Sequence, residues 1–418
     1  MSVKISSLIV RNTRMPRSVR AKVKPKLLEW ARVSAGYTLP DAAKKLKVTA
    51  DKLALWESNS ETLTLSKLKA MAVIYKRPLS VFYLPTPPKE FMAMRDFRRL
   101  PNTKLRTFSP ELSFEIRSAH QRRRLALELV EELEEASPRF TLRASLNEDP
   151  EVIGTRLRRA IKASREDQAT WQHDSAGYAA FNTWRQKIEA YGVLVFQATR
   201  LAPSEVSGFA IAETPLPVIV VTQVDTPPVR RTFSLLHEFV HLMLRLSGVS
   251  ELDVDAARPP EDQEVEVFCN RVAAAALMPR SEFLDEEVIK ANGPQASEWS
   301  DIVILELAHK YGVSREAIVR RLLTFGLTTP AYYQQKREQY AEEYKNSKEL
   351  KQQQNKLSEK KFLKNPPRDA LKFFGKPLVH LILESYHRDR MSLSDVSGYL
   401  GIRTRHVAKL EYMAGLRD

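Results

Sequence analysis

Cysteine is almost missing from this chain. A single one, Cys269, stands in 418 residues, which excludes an intramolecular disulfide framework and fits a reducing compartment. Long apolar runs are missing too. No stretch reaches the roughly 20 residues that cross a bilayer, so a membrane-spanning reading is excluded. The N-terminus has basic residues, but Ser6–Val10 is too short for the apolar core of a signal peptide. A cytoplasmic protein without a membrane partner is expected. Acidic residues are outnumbered: 66 Lys and Arg against 51 Asp and Glu leave a net charge of +15. That balance favours nucleic acid or acidic partners, and it also simply keeps proteins soluble.

With 43% hydrophobic and 28% charged residues, the chain has the composition of a globular protein, and its length allows two to four domains with separate cores. Apolar residues concentrate in Arg231–Leu246, RTFSLLHEFVHLMLRL, which no Gly or Pro interrupts. The run is expected to be a largely buried helix. Within it, His237-Glu238-Phe239-Val240-His241 is an H-E-x-x-H motif. Residues four apart on a helix lie one turn above each other, so both imidazoles can face one metal. Glu238 points roughly 100° further round, placed to reach a water on that metal without ligating it. The bland alternative is a pair of core histidines beside a surface glutamate. It leaves polar groups to find partners one by one, at roughly 1–3 kcal/mol for each left unpaired. Zinc accepts mixed N and O ligands, and a catalytic zinc needs a third protein ligand and an open position.

That third ligand is sought in Glu261–Pro279, EDQEVEVFCNRVAAAALMP, which prolines precede and Pro279 stops. Its small residues let this helix approach another closely. Glu266 is the best candidate and Glu264 the main rival; Asp253, Asp255 and Asp262, in or near the Pro-rich lead-in, are weaker.

HEFVH followed by E-x-x-C-N-R-V-A-A-A-A-L-M-P resembles the ImmA/IrrE family of zinc metallo-endopeptidases. Cys269, Val272 and Ala276 replace the family's usual Ala, Phe and Leu, which alters packing and not the ligand positions. The resemblance implies one catalytic Zn²⁺ on His237, His241 and Glu266. It implies Glu238 as the general base and Asn270 as a supporting residue beside the ligands. It also implies a protein substrate, a transcriptional repressor or similar regulator.

Residues 1–22 form a basic arm with Lys4, Arg11, Arg14, Arg17, Arg20 and Lys22. Residues 23–85 read as a compact helical unit broken at Gly36, with Thr49 as an N-cap. They resemble the XRE-type helix-turn-helix domain, including Trp56-Glu57 at the end of its recognition helix. The resemblance implies double-stranded DNA as a partner and Thr49 and Lys52 as candidate contacts. Pro40-Asp41 and the phosphate-repelling Asp51 depart from that pattern, so a scaffold for protein contacts is the alternative.

Residues 86–136 are a helical connector. It begins with prolines and Asp96-Phe97-Arg98-Arg99, a segment similar to one in longer ImmA/IrrE proteins, and its Gln121–Arg124 run is read as a solvated face. Residues 137–333 are the peptidase region. Helices are expected over 149–165 and 179–191, strands over 192–196, 209–212 and 217–221, and core anchors at Trp171 and Trp184. Arg230-Arg231 could meet substrate or solvent. His309 is a candidate oxyanion stabiliser, or simply packed. Residues 334–365 read as a polar linker or solvated helix, and 366–418 as a helical C-terminal unit. The expected fold is α+β and mostly helical: an N-terminal helix-turn-helix bundle, a zincin-like domain with a small sheet, and a helical end. The expected function is zinc-dependent endopeptidase activity on a regulator. The alternative is a DNA-binding transcriptional regulator, of toxin–antitoxin or phage-associated type, whose peptidase-like region serves as sensor or scaffold.

Overall fold

In the computed structural model, residues 19–88, 94–97, 108–136, 139–171, 174, 177–250, 258–292, 297–357 and 365–416 are described. Most of the basic arm, Arg98, Arg99, Asp253 and Asp255 lie outside them. The chain divides into two compact units: Met1–Phe91 with Thr107–Phe114, and Met92–Arg106 with Glu115–Asp418.

The N-terminal unit is helical: α1 (Pro25–Val33), α2 (Leu39–Leu46), α3 (Ala50–Glu57) and α4 (Leu65–Ile74). Thr38, Thr49 and Thr64 each accept a hydrogen bond from a backbone N–H three residues on, satisfying an otherwise orphaned donor at the starts of α2, α3 and α4. Gly36 turns the chain between α1 and α2 at φ +76°, a conformation that side chains rarely adopt. Leu28, Ala42, Leu53, Trp56, Leu68 and Tyr75 form the core. Arg32 clamps Glu57 with two bonds, of 2.8 and 2.9 Å, tying α1 to the end of α3.

The second unit contains α5 (Pro110–Glu132) from residue 115 onward, α6 (Pro150–Ala160), α7 (Arg165–Trp171), α8 (Tyr178–Ala190), α9 (Pro228–Met243) and α10 (Pro260–Leu277). Its strands are β1 (Arg95–Asp96), β2 (Leu194–Ala198), β3 (Gly208–Ile211), β4 (Val218–Thr222) and β5 (Gly248–Ser250), in the spatial order β1-β5-β3-β4-β2. β3 runs antiparallel to β4 and β5, while β2–β4 and β1–β5 are parallel. Every residue of β2, β3 and β4 is buried, as their mostly apolar sequences require when both faces are covered. α9 packs on β3, β4 and α8, and α10 packs on α9 and α6. The small residues of α10 have a partner in Gly154 of α6. A Cβ added there would stand 2.7 Å from the Ala275 Cβ, so the two backbones approach as closely as glycine allows.

The architecture is mostly helical with a small mixed sheet, and three strands fall within two residues of their expected positions. Several details differ. The helix expected over 149–165 stops at Ala160, short of its expected end, where Lys162 takes φ +57° before α7 begins at Arg165. The Gln121–Arg124 run is a solvated face only in part: Gln121 and Arg124 are exposed, whereas Arg122 and Arg123 are not. Arg123 is 9% exposed, donates to the carbonyls of Leu216 and Pro215 at 3.0 and 2.9 Å, and pairs with Glu213 at 2.8 Å. The Arg122 guanidinium lies 5.3 Å from the Phe196 ring centroid and 4.9 Å from that of Phe374.

Residue 333 is no boundary: a continuous helix runs Pro330–Leu357, and its Tyr340 belongs to the core of the second unit. The C-terminal residues are not a separate unit either. The helix Pro366–His387 kinks at Gly375, and there Lys372 O accepts from Arg185 (2.8 Å) and Gln197 (3.1 Å), fixing the helix against the outer edge of β2. Among the described residues no helix is long and apolar enough to cross a membrane.

Arg123→Ala removes three bonds and strands the buried Leu216 carbonyl, so it should lower unfolding stability by about 1–3 kcal/mol. Gln121→Ala, on the exposed side, should change it by less than about 0.5 kcal/mol. The midpoint of urea unfolding measures both.

Candidate metal centre

α9 starts with Pro228 at its first position, where a missing N–H costs nothing, and buries nearly its whole length. Burial orients His237 and His241 together toward α10. Their ring centroids are 4.8 Å apart and their Nε2 atoms 3.0 Å apart. Glu266 faces them from α10, with Oε1 3.1 Å from His241 Nε2 and Oε2 3.4 Å from His237 Nε2. Among the described residues, these three side chains form the group able to hold a metal ion, with their ligand atoms all within 4.8 Å of one another. Glu264, the rival, is exposed on the other side of α10; Asp262 is buried but stands outside the group.

Asn270 lies one turn beyond Glu266, and its Oδ1 accepts the His237 Nδ1–H at 2.9 Å. With the proton held on Nδ1, the Nε2 lone pair points at the convergence point. Ser250, on β5, brings its Oγ to 3.3 Å from His241 Nε2. The Phe97 ring packs on the His241 ring at 4.7 Å.

The electrostatics favour a cation. Burial alone would raise the Glu266 carboxyl, yet His237 and His241 hold it well below the usual carboxylate range. Burial alone would depress the His237 imidazolium, yet the Glu266 carboxylate pushes it up. Nitrogen and oxygen donors that pull positive charge into a dry pocket are a fit for zinc.

Glu238 is fully buried, and burial pushes its carboxyl up to about 8; the Glu266 carboxylate adds to this, while His237 opposes it. It sits against Gly208 at the start of β3. A Cβ there would lie 2.7 Å from Val220 O and 3.1 Å from Glu238 Cγ, so only glycine lets the strand pass this close to the carboxylate. Gly208, Ser250 and Phe97 were not singled out for the site from the sequence. A glycine opening a strand of large side chains was the one available signal.

Other candidates lie elsewhere. Arg231 is 4% exposed and donates to Thr226 O at 2.9 Å and Gln197 Oε1 at 3.2 Å, which makes it a structural residue of the α9 start rather than a substrate or solvent contact. His309 is half-buried on the helix Asp301–Tyr311 and is not part of the metal group. In the N-terminal unit, Thr49 Oγ1 caps α3 and Lys52 Nζ bonds Glu61 at 2.6 Å, so both already have local partners.

Residues 188–323 match the family model described as the IrrE N-terminal-like domain. The matched segment spans β2 to β5, both metal-motif helices and the helix Arg315–Thr324. It covers less than half of the chain, leaving the N-terminal unit outside, and it points to a metallopeptidase. No curated protein matches the chain.

Glu266→Ala should abolish stoichiometric zinc, whereas Glu264→Ala should retain it. Asn270→Ala should bind zinc about 10- to 100-fold more weakly. Metal content and competition against a chelator of known affinity check all three.

Proposed function

We propose that this chain is a zinc-dependent endopeptidase. The observation that carries the reading is the convergence of His237, His241 and Glu266 within 4.8 Å, with the buried Glu238 carboxyl on the same turn of α9. Zinc bound to the three side chains would polarise the scissile carbonyl and acidify a water in the remaining position. Glu238 would take a proton from the attacking water on a carboxylate oxygen and pass it to the leaving amine. Its dry surroundings suit the exchange, because a carboxyl whose affinity for a proton is raised both takes and holds one near neutral pH. Asn270 keeps His237 in the tautomer the site needs, and Gly208 keeps the β3 backbone clear of Glu238. The favoured substrate is a regulatory protein such as a transcriptional repressor, by resemblance to the ImmA/IrrE peptidases, with the N-terminal unit serving to target the enzyme to protein or DNA.

A second reading gives the N-terminal unit duplex DNA as a partner. Exposed Lys44, Lys45 and Lys47, at the end of α2, support it. Exposed Asp41 and Asp51, together with the pairing of Lys52 to Glu61, weigh against direct base reading.

Glu238→Gln should keep its zinc and lose at least about 10²-fold in cleavage of a co-expressed regulator; equal cleavage by parent and variant would remove the peptidase reading. If Lys44 and Lys47 touch phosphates, replacing both by Ala should flatten the plot of log affinity against log salt by about 2. Filter binding to duplex DNA over a salt series measures this.

A further inference from the structure

The Asp96-Phe97 pair finds its place at the metal centre. β1 pairs in parallel with the outer edge of β5, aligning Arg95 with Gly248 and Asp96 with Val249. Phe97 extends the pairing: its N–H donates to Val249 O at 3.0 Å, and its own carbonyl accepts from Arg258 Nε at 2.9 Å. Its ring is fully buried against His241. The next residue of β5, Ser250, is the one whose hydroxyl approaches His241 Nε2. The sheet edge nearest the metal ligands is therefore occupied by the chain itself. The ligands and Glu238 are no more than 5% exposed.

An extended peptide is held by adding a strand to an open sheet edge, its backbone paired and its alternate side chains in pockets. We propose that Arg95–Phe97 is an internal stand-in for substrate. It covers the β5 edge and keeps the centre latent until it leaves. The peptide that replaces it places a bulky apolar side chain in the slot of Phe97 against His241. This rests on the peptidase reading above. The ladder it forms is short, two aligned residues in parallel at a sheet edge.

The test uses the full-length, zinc-loaded chain and two readouts, transfer of zinc to a chromogenic chelator and cleavage of a co-purified regulator. Phe97→Ala should release zinc at least ten-fold faster than the parent, and Phe97→Leu should stay near the parent rate. A second variant, Arg95→Cys with Gly248→Cys, locks the strand when oxidised while keeping Phe97 in place; the native Cys269 is buried and does not compete. Oxidation should slow zinc transfer and stop cleavage, and reductant should restore both. Equal zinc transfer by Phe97→Ala and parent, or equal cleavage by the oxidised and reduced pairs, overturns the proposal. Zinc rates that move as expected, with no cleavage by any reduced form, keep the strand as a cover of the metal centre and overturn the peptidase reading instead.

Discussion

A carboxylate that is 1% exposed stands between two imidazoles, and the second unit is arranged so that it can. Glu266 reaches His237 and His241 only because α10 lies close along α9. A lone buried carboxylate would be driven to take up a proton. Here the imidazoles reverse that tendency, and the resulting pocket attracts a cation rather than merely tolerating one. On another side of α10 small residues allow an equally close packing: Gly154 of α6 backs onto Ala275 and Ala276. Helix packing and metal chemistry are thus one constraint viewed at two scales.

The sheet serves the same centre from its other face. β3 needs a glycine at 208 to pass Glu238, and β5 supplies Ser250 beside His241. Both sheet edges are covered, in different ways. At β2, the helix Pro366–His387 closes the edge with carbonyl contacts to Arg185 and Gln197. At β5, the cover is a two-residue strand and a phenylalanine. An uncovered edge invites pairing with another chain, and both covers prevent it.

Local chemistry explains which parts were legible. The H-E-x-x-H spacing works within one helix, so no knowledge of the fold is needed to set two imidazoles and a carboxylate side by side. β2 and β4 announce themselves through β-branched runs. β5 and β1, with three and two residues, are too short to carry a periodicity, and they exist because neighbouring backbone is there to pair with. The Gln121–Arg124 run looked solvated because charge density was read without its surroundings. Carbonyls at 215 and 216 and the rings of Phe196 and Phe374 provide what those guanidiniums need to leave water.

From the amino-acid order alone came the paired histidines, the glutamate between them and the helical character of most of the chain, since each rests on contacts between residues a turn or two apart; Asn270 came from resemblance. Glu266 was preferred to Glu264 on resemblance, and the physical reason for that preference came from the tertiary structure. Two residues apart on a helix point to nearly opposite sides, and only the packing of α10 against α9 decides which side faces the histidines. The placing of Phe97 on His241 was decided the same way. The two residues lie 144 positions apart, and nothing local to either one names the other.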